Sequence, residues 1–175
     1  MTLTFIIPGK PKAKGRPRVV PGRAFTPKAT AAYEGLVALA AQAALPEGWT
    51  PLTGPVLLVV LAVQPRPKRL MRRKDPDGLI YSDRRPDLDN LVKAVSDGLD
   101  GIAWGDDGQV AVVQAVKTYA ERGGLPRVEV WVQALLGPGQ PGVTCISWAR
   151  TALTRMAQAR SDHADPLVID QLASG

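Results

Sequence analysis

A chain of 175 residues, 45% apolar and 22% charged, has the size and composition of one compact globular domain, which excludes a disordered or fibrous protein. No apolar run approaches the ~20 residues of a transmembrane helix, no signal-peptide plan opens the chain, and the single cysteine, Cys145, excludes an intrachain disulfide, so a cytoplasmic protein with no membrane partner is expected. The net charge of +6 points instead to a polyanionic partner, nucleic acid ahead of an anionic membrane.

Residues 3–7 (LTFII) are apolar, partly β-branched and halted by Pro8-Gly9, which predicts a first strand. From residue 10 to residue 28 every charged side chain is basic: Lys10, Lys12, Lys14, Arg16, Arg18, Arg23 and Lys28. Recurrent Pro and Gly make this an open, positive loop. Thr26-Pro27 reads as a helix start, Thr as N-cap and Pro at the first helical position, for an Ala-rich helix to about residue 44. Residues 56–63 form a continuous apolar run, the mark of a buried central strand.

A second basic loop spans residues 64–85, with Arg66, Lys68, Arg69, Arg72, Arg73, Lys74, Arg84 and Arg85 against Asp75, Asp77 and Asp83. A helix is predicted over residues 88–100, with Leu88, Val92, Val95 and Leu99 as its apolar stripe and Gly101 as its stop. Residues 109–118 and 127–135 are rich in β-branched side chains and flank ERGGLP, which predicts a hairpin. Beyond a Pro/Gly linker, Ile146, Ala149, Leu153 and Met156 suggest a short amphipathic helix. The expected organisation is a body over residues 1–136, a linker over 137–145 and a C-terminal helical extension over 146–175.

The charge reverses locally. Across RRPDLDNLVKAVSDGLDGIAWGDD (residues 84–107), Lys93 is the only cation between Asp87 and Asp107, against six aspartates. With the apolar stripe turned to the core, Asp89, Asn90, Lys93, Asp97 and Asp100 share the opposite arc, and Asp87 and Asp89 flank the helix start. Asp106-Asp107 sits in the loop before the next strand. Mg²⁺ keeps several waters and binds through a few carboxylates plus phosphate oxygens, so such a group suits metal-assisted phosphodiester chemistry. Lys93, one turn after Asp89, is placed to neutralise charge developing on a phosphate. The bland reading competes: aspartates cap helices and decorate their faces, and Asp97 and Asp100 are assigned to a solvated face. Trp104 is read as a packing residue that fixes the Asp106-Asp107 loop.

Two loops of one sign bracket this acidic cluster. Lys10, Lys12, Lys14, Arg16 and Arg18 on one side and Lys68, Arg69, Arg72 and Arg73 on the other are the candidate DNA-binding residues. Gly15 and Gly22 are read as points where backbone can approach phosphates.

DLDNLVK (residues 87–93) and AWGDDGQV (residues 103–110) resemble the RusA family of Holliday-junction resolvases, and IPGKPKAKGRPR and GRAFTP are similar to its phage and prophage members. The resemblance covers residues 3–135. It implies a homodimeric α+β endonuclease with a small mixed sheet packed with helices, occupying residues 1–136, that nicks opposed strands of a four-way DNA junction. It further implies Mg²⁺, with Mn²⁺ able to substitute, held by Asp87, Asp89 and Asp107. Lys93 falls on the catalytic lysine, with Asp106 and Asn90 secondary. Two departures stand out: the loop over residues 66–83 is longer than in the shortest members, and residues 137–175 match no part of the compact pattern. The rival readings are a nuclease for forks, flaps and other branched DNA, and a non-catalytic basic DNA-binding module.

Overall fold

A computed structural model describes residues 1–15, 18–20, 23–25 and 27–135. The expected linker and helical extension over 137–175 lie outside the described residues. The body is built on strands whose burial follows the period of their side chains. In β1 (Thr2–Pro8), Leu3, Phe5 and Ile7 are buried and the residues between them exposed, as a strand with one face on the core requires. β4 (Val56–Gln64) is buried at every position, in keeping with its unbroken apolar run.

Beside the main sheet, the first basic loop carries a small ribbon of β2 (Arg18–Val20) and β3 (Arg23–Phe25), paired antiparallel. The second basic loop holds a 3-10 turn (Lys68–Leu70) and β5 (Ile80–Tyr81), both within what the sequence reads as loop. With β6 (Val110–Tyr119) and β7 (Arg127–Ala134), the five-stranded sheet runs in the order β1-β7-β4-β6-β5. β4 lies parallel to β6 and antiparallel to β7, so this is the expected α+β arrangement with a mixed sheet.

The predicted hairpin is corrected here. The two strands exist, but β4 lies between them. A strand buried along its whole length needs hydrogen-bonding neighbours on both edges, and residues 120–126 carry the chain across its end, where the Ala120 N–H bonds Gln64 O at 2.8 Å. ERGGLP offers no two-residue hairpin turn to oppose this.

Two helices cover one face of the sheet. α1 (Lys28–Ala43) buries Thr30, Tyr33, Val37 and Ala41, and α2 (Leu88–Leu99) buries Leu91, Ala94, Val95, Gly98 and Leu99. Their apolar residues join Leu3, Phe5, Ile7, Val56, Leu58, Val60, Val128, Val130 and Val132 in one core. α1 starts one residue later than expected: Pro27 is extended at the cap position and its carbonyl accepts from the Thr30 and Ala31 amides. Thr26 lies outside the described residues.

The stripe assigned to α2 is also corrected. Leu88 and Val92 are only half-buried, and the buried face is centred on Leu91, Ala94, Val95 and Gly98. The reason is the close approach of α1: a Cβ on Gly98 would stand 2.7 Å from Val37 Cβ and 2.8 Å from Glu34 O. Small residues make that seam, and a stripe drawn through large apolar residues does not register it. α2 ends at Leu99, and the turn just past it passes through Gly101, whose φ of 73° suits glycine.

Candidate active site

The rotation of α2 decides which side chains meet. Leu88 and Val92, turned away from the α1 seam, face Val113 and Ala115 of β6 across a groove of about 490 Å³. Asp89, Lys93 and Ser96 line the same groove. Asp89 and Lys93 are exposed along it, and Asn90 is half-buried.

Asp87 occupies the N-cap position of α2, yet its carboxylate accepts no capping hydrogen bond. The carboxylate is therefore not consumed by the structural role that most often explains an aspartate at a helix start. Asp89 receives only a 3.4 Å contact from Asn90 Nδ2. Lys93 does not turn back to Asp89; its Nζ lies 3.3 Å from Asp97 Oδ1. Two neighbouring carboxylates at the helix start thus lack a cationic partner among the described residues, while the dipole of the first turn favours negative charge there.

Asp107 approaches α2 from the loop after it. Its Oδ1 accepts from the indole Nε1 of the fully buried Trp104 and from Ser96 Oγ, both at 3.2 Å. Trp104 is thus a packing residue that also aims a carboxylate. Asp106 has a different part: it caps the 3-10 turn Asp107–Gln109, accepting from the Gly108 amide at 2.7 Å.

Sequence alone assigns no role to Gln109, Lys117 or Ser96, although Gln109 lies within AWGDDGQV. The Gln109 amide oxygen accepts from the Gly105 and Asp106 N–H groups at 2.9 and 3.1 Å, and its nitrogen donates to Leu52 O and Gly54 O at 2.8 and 2.9 Å. Both donors and both acceptor sites of that amide are used, and the Asp106-Asp107 loop is tied to the segment before β4. Lys117 of β6 donates to Arg84 O and Pro86 O, both at 2.7 Å, which holds the chain leading into Asp87. No periodicity reports such contacts; a polar residue in a β-branched run is the sole hint for Lys117.

The basic residues divide. Lys10, Lys12, Lys68, Arg69, Arg72 and Arg73 are exposed. Lys14 is drawn into the protein, paired with Asp97 and, at 3.4 Å, with Glu34. Its amide bonds Asn90 O at 2.9 Å, and the Gly15 amide bonds Thr30 Oγ1 at 3.1 Å. Gly15 therefore meets the start of α1, and Asp97, expected on a solvated face, is a half-buried anchor between two lysines. Arg16, Gly22 and the side chain of Arg18 lie outside the described residues.

The family Endodeoxyribonuclease RusA matches residues 8–133. The chain belongs to the RusA family. It is also 35% identical over 140 residues to the Bacillus subtilis (strain 168) protein described as "Uncharacterized protein YqaN", an overlap covering 75% of this chain and 95% of the relative. As a RusA-family member the protein is an endodeoxyribonuclease, a hydrolase acting on DNA, in a family that acts on branched DNA junctions. No helix among the described residues is long and apolar enough to cross a membrane.

RusA-family nucleases generally depend on a divalent metal, and Asp89 in this groove, with Asp87 at the helix start and Asp107 against Ser96, is compatible with one. The donors are carboxylate oxygens, the type a hard divalent cation takes. Among the described residues, no three His, Cys, Asp or Glu side chains gather closely enough to enclose an ion. That combination suits a cation held by one or two carboxylates, with water and substrate phosphate supplying its other ligands.

Proposed function

We propose that this RusA-family enzyme resolves four-way DNA junctions by hydrolysing one phosphodiester in each of two opposed strands. Asp87, Asp89 and Asp107 are the candidate oxygen donors for Mg²⁺, with one or two of them holding the cation at a time, water and phosphate oxygens completing its shell, and Mn²⁺ as a working substitute. When bound, such a cation supplies an activated water and neutralises charge at the scissile phosphate.

The chain's own residues do the rest. Asp107, oriented by Trp104 and Ser96, presents its carboxylate along the α2 face that carries Asp89. Lys93, with 60% of its side chain exposed, is free to leave Asp97 and stabilise charge on the phosphate as the P–O bond breaks. Asn90 and Asp106 act in support, Asp106 by shaping the turn that bears Asp107. Lys10, Lys12, Lys68, Arg69, Arg72 and Arg73 take the DNA backbone. A homodimer presents two such sites related by two-fold symmetry, which matches paired nicks in a junction of approximate two-fold symmetry. Residues 1–136 carry the activity, and residues 137–175 are an extension to it.

The observation that carries this reading is the pair of uncompensated carboxylates at the start of α2, in the family's DLDN motif, beside a groove that also holds Lys93. Asp89→Asn tests it. The variant should bind a synthetic four-way junction at least as tightly as wild type, because a negative charge is removed, while Mg²⁺-dependent cleavage is lost. Retained cleavage would end the assignment. Assaying wild type on junction, fork, flap and linear duplex under Mg²⁺ separates junction resolution from broader branch cleavage.

A further inference from the structure

Two arginines outside the carboxylate groove organise the second basic loop. Arg66 donates from Nε to Leu70 O (2.8 Å), from Nη1 to Gly78 O, Asp77 O and Ala120 O (3.0, 3.2 and 3.3 Å), and from Nη2 to Pro76 O. From the β6–β7 connection, Arg122 reaches the same loop. Its Nη1 donates to Met71 O and its Nη2 to Arg72 O and Asp75 O, each at 3.0 Å, while Nε meets the Asp77 carboxylate at 2.5 Å. The Arg122 amide also bonds Asp77 O at 2.8 Å.

Neither fork is directed mainly outward. A guanidinium carries five N–H donors and no acceptor, and here seven of the nine contacts the two forks make end on carbonyls of one loop. The acids of that loop are engaged too: Asp75 accepts from the Arg72 amide at 2.7 Å, and Asp77 pairs with Arg122. Arg72 also pairs through its Nε with Asp75 at 3.6 Å while most of its side chain stays exposed. What remains for solvent without an acidic partner among the described residues is Lys68, Arg69, Arg73 and Lys74, all exposed. Four like charges held on a short, ordered segment repel one another, an arrangement that a polyanion relieves. The loop runs through β5 into residues 84–86, which Lys117 fastens beside Asp87.

We propose that residues 65–78 are a preorganised docking platform for DNA phosphates, with Arg66 and Arg122 setting its shape. Arg122 is a positioning residue: it acts through the backbone it gathers and not as a phosphate ligand. Holding the loop in advance lowers the ordering cost of binding. The proposal rests on the reading of this chain as an enzyme of branched DNA.

The test measures binding of the full chain to a synthetic four-way junction in EDTA across a salt series, for wild type, Arg122→Lys and Arg122→Ala. A lysine keeps the charge but not the fork. Both variants should bind about tenfold more weakly, and the log K against log salt slope should flatten by about 2–3, at ~0.9 for each phosphate the loop no longer engages. Faster proteolysis within residues 65–78 should accompany the weaker binding. Full affinity in Arg122→Lys would overturn the proposal, since Arg122 would then be a plain phosphate ligand. Wild-type affinity in both variants would overturn it as well. The combined change Lys68→Ala, Arg69→Ala and Arg73→Ala touches only exposed side chains and cannot unfold the core; it should weaken binding and flatten the slope equally, and unchanged binding would refute the platform. Absent salt-dependent binding by wild type would instead remove the DNA-enzyme reading itself.

Discussion

Gly98→Ala probes the seam on which the candidate site depends. α2 carries Asp89, Lys93 and Ser96, and it sits over β6 because α1 accepts its closest approach at Gly98. An added Cβ would stand 2.7 Å from Val37 Cβ, 2.9 Å from Val37 Cγ1 and 2.8 Å from Glu34 O. Two of those neighbours, a Cβ and a backbone oxygen, cannot rotate aside, so α1 and α2 must separate by several tenths of an ångström. Removing a mid-helix glycine favours α2 by about 1 kcal/mol. Overpacking a tight interior costs about 1–3 kcal/mol, and the fixed neighbours put this site at the upper end. The net expectation is a loss of about 2 kcal/mol, or a midpoint lowered by about 4–8 °C for a chain of this size. Urea unfolding followed by tryptophan fluorescence, with thermal melts alongside, reads both quantities. An unchanged or raised stability would refute the reasoning, because the helix propensity gain would then exceed the packing cost.

Gln109→Ala should release the Asp106-Asp107 loop from the segment before β4 and cost about 2 kcal/mol from its four hydrogen bonds. It should also reduce junction cleavage at saturating DNA, and wild-type cleavage would show that Gln109 does not position Asp107. Burial pushes the Tyr33 phenol up to about 12, against ~10 in an unfolded chain. The unfolded state therefore loses its proton first, so this contribution is complete below pH 10 and disappears as pH rises from 10 to 12, at about 2–3 kcal/mol. Tyr33→Phe should lack that slope in urea unfolding at pH 9 and 11.5, and equal alkaline losses in both proteins would refute it.

Much of the body was legible in the chain. The apolar, partly β-branched residues 3–7 halted by Pro8-Gly9 and the unbroken apolar run of β4 declare strands, and Gly101 declares the end of α2, because composition and backbone freedom are local properties. Strand pairing was not legible: β6 and β7 read as neighbours in sequence, but β4 needs partners on both edges and takes the place between them. The same limit applied to Lys14 and Asp97. Lys14 read as a contact to DNA and Asp97 as a solvated charge until the approach of α1, α2 and the first basic segment made them an ion pair.

By itself the sequence determined the helix that bears Asp87, Asp89 and Lys93, the cluster of Asp106 and Asp107 after it, and the two basic arms around them. Those depend on residue type and spacing along one chain. Only the tertiary structure decided the rotation of α2, the aiming of Asp107 by Trp104 and Ser96, the anchoring of the helix start by Lys117, and the folding of the second arm around Arg66 and Arg122. Each of these joins residues distant in sequence through a hydrogen bond or a packing seam, and one-dimensional pattern carries no signal for such a meeting.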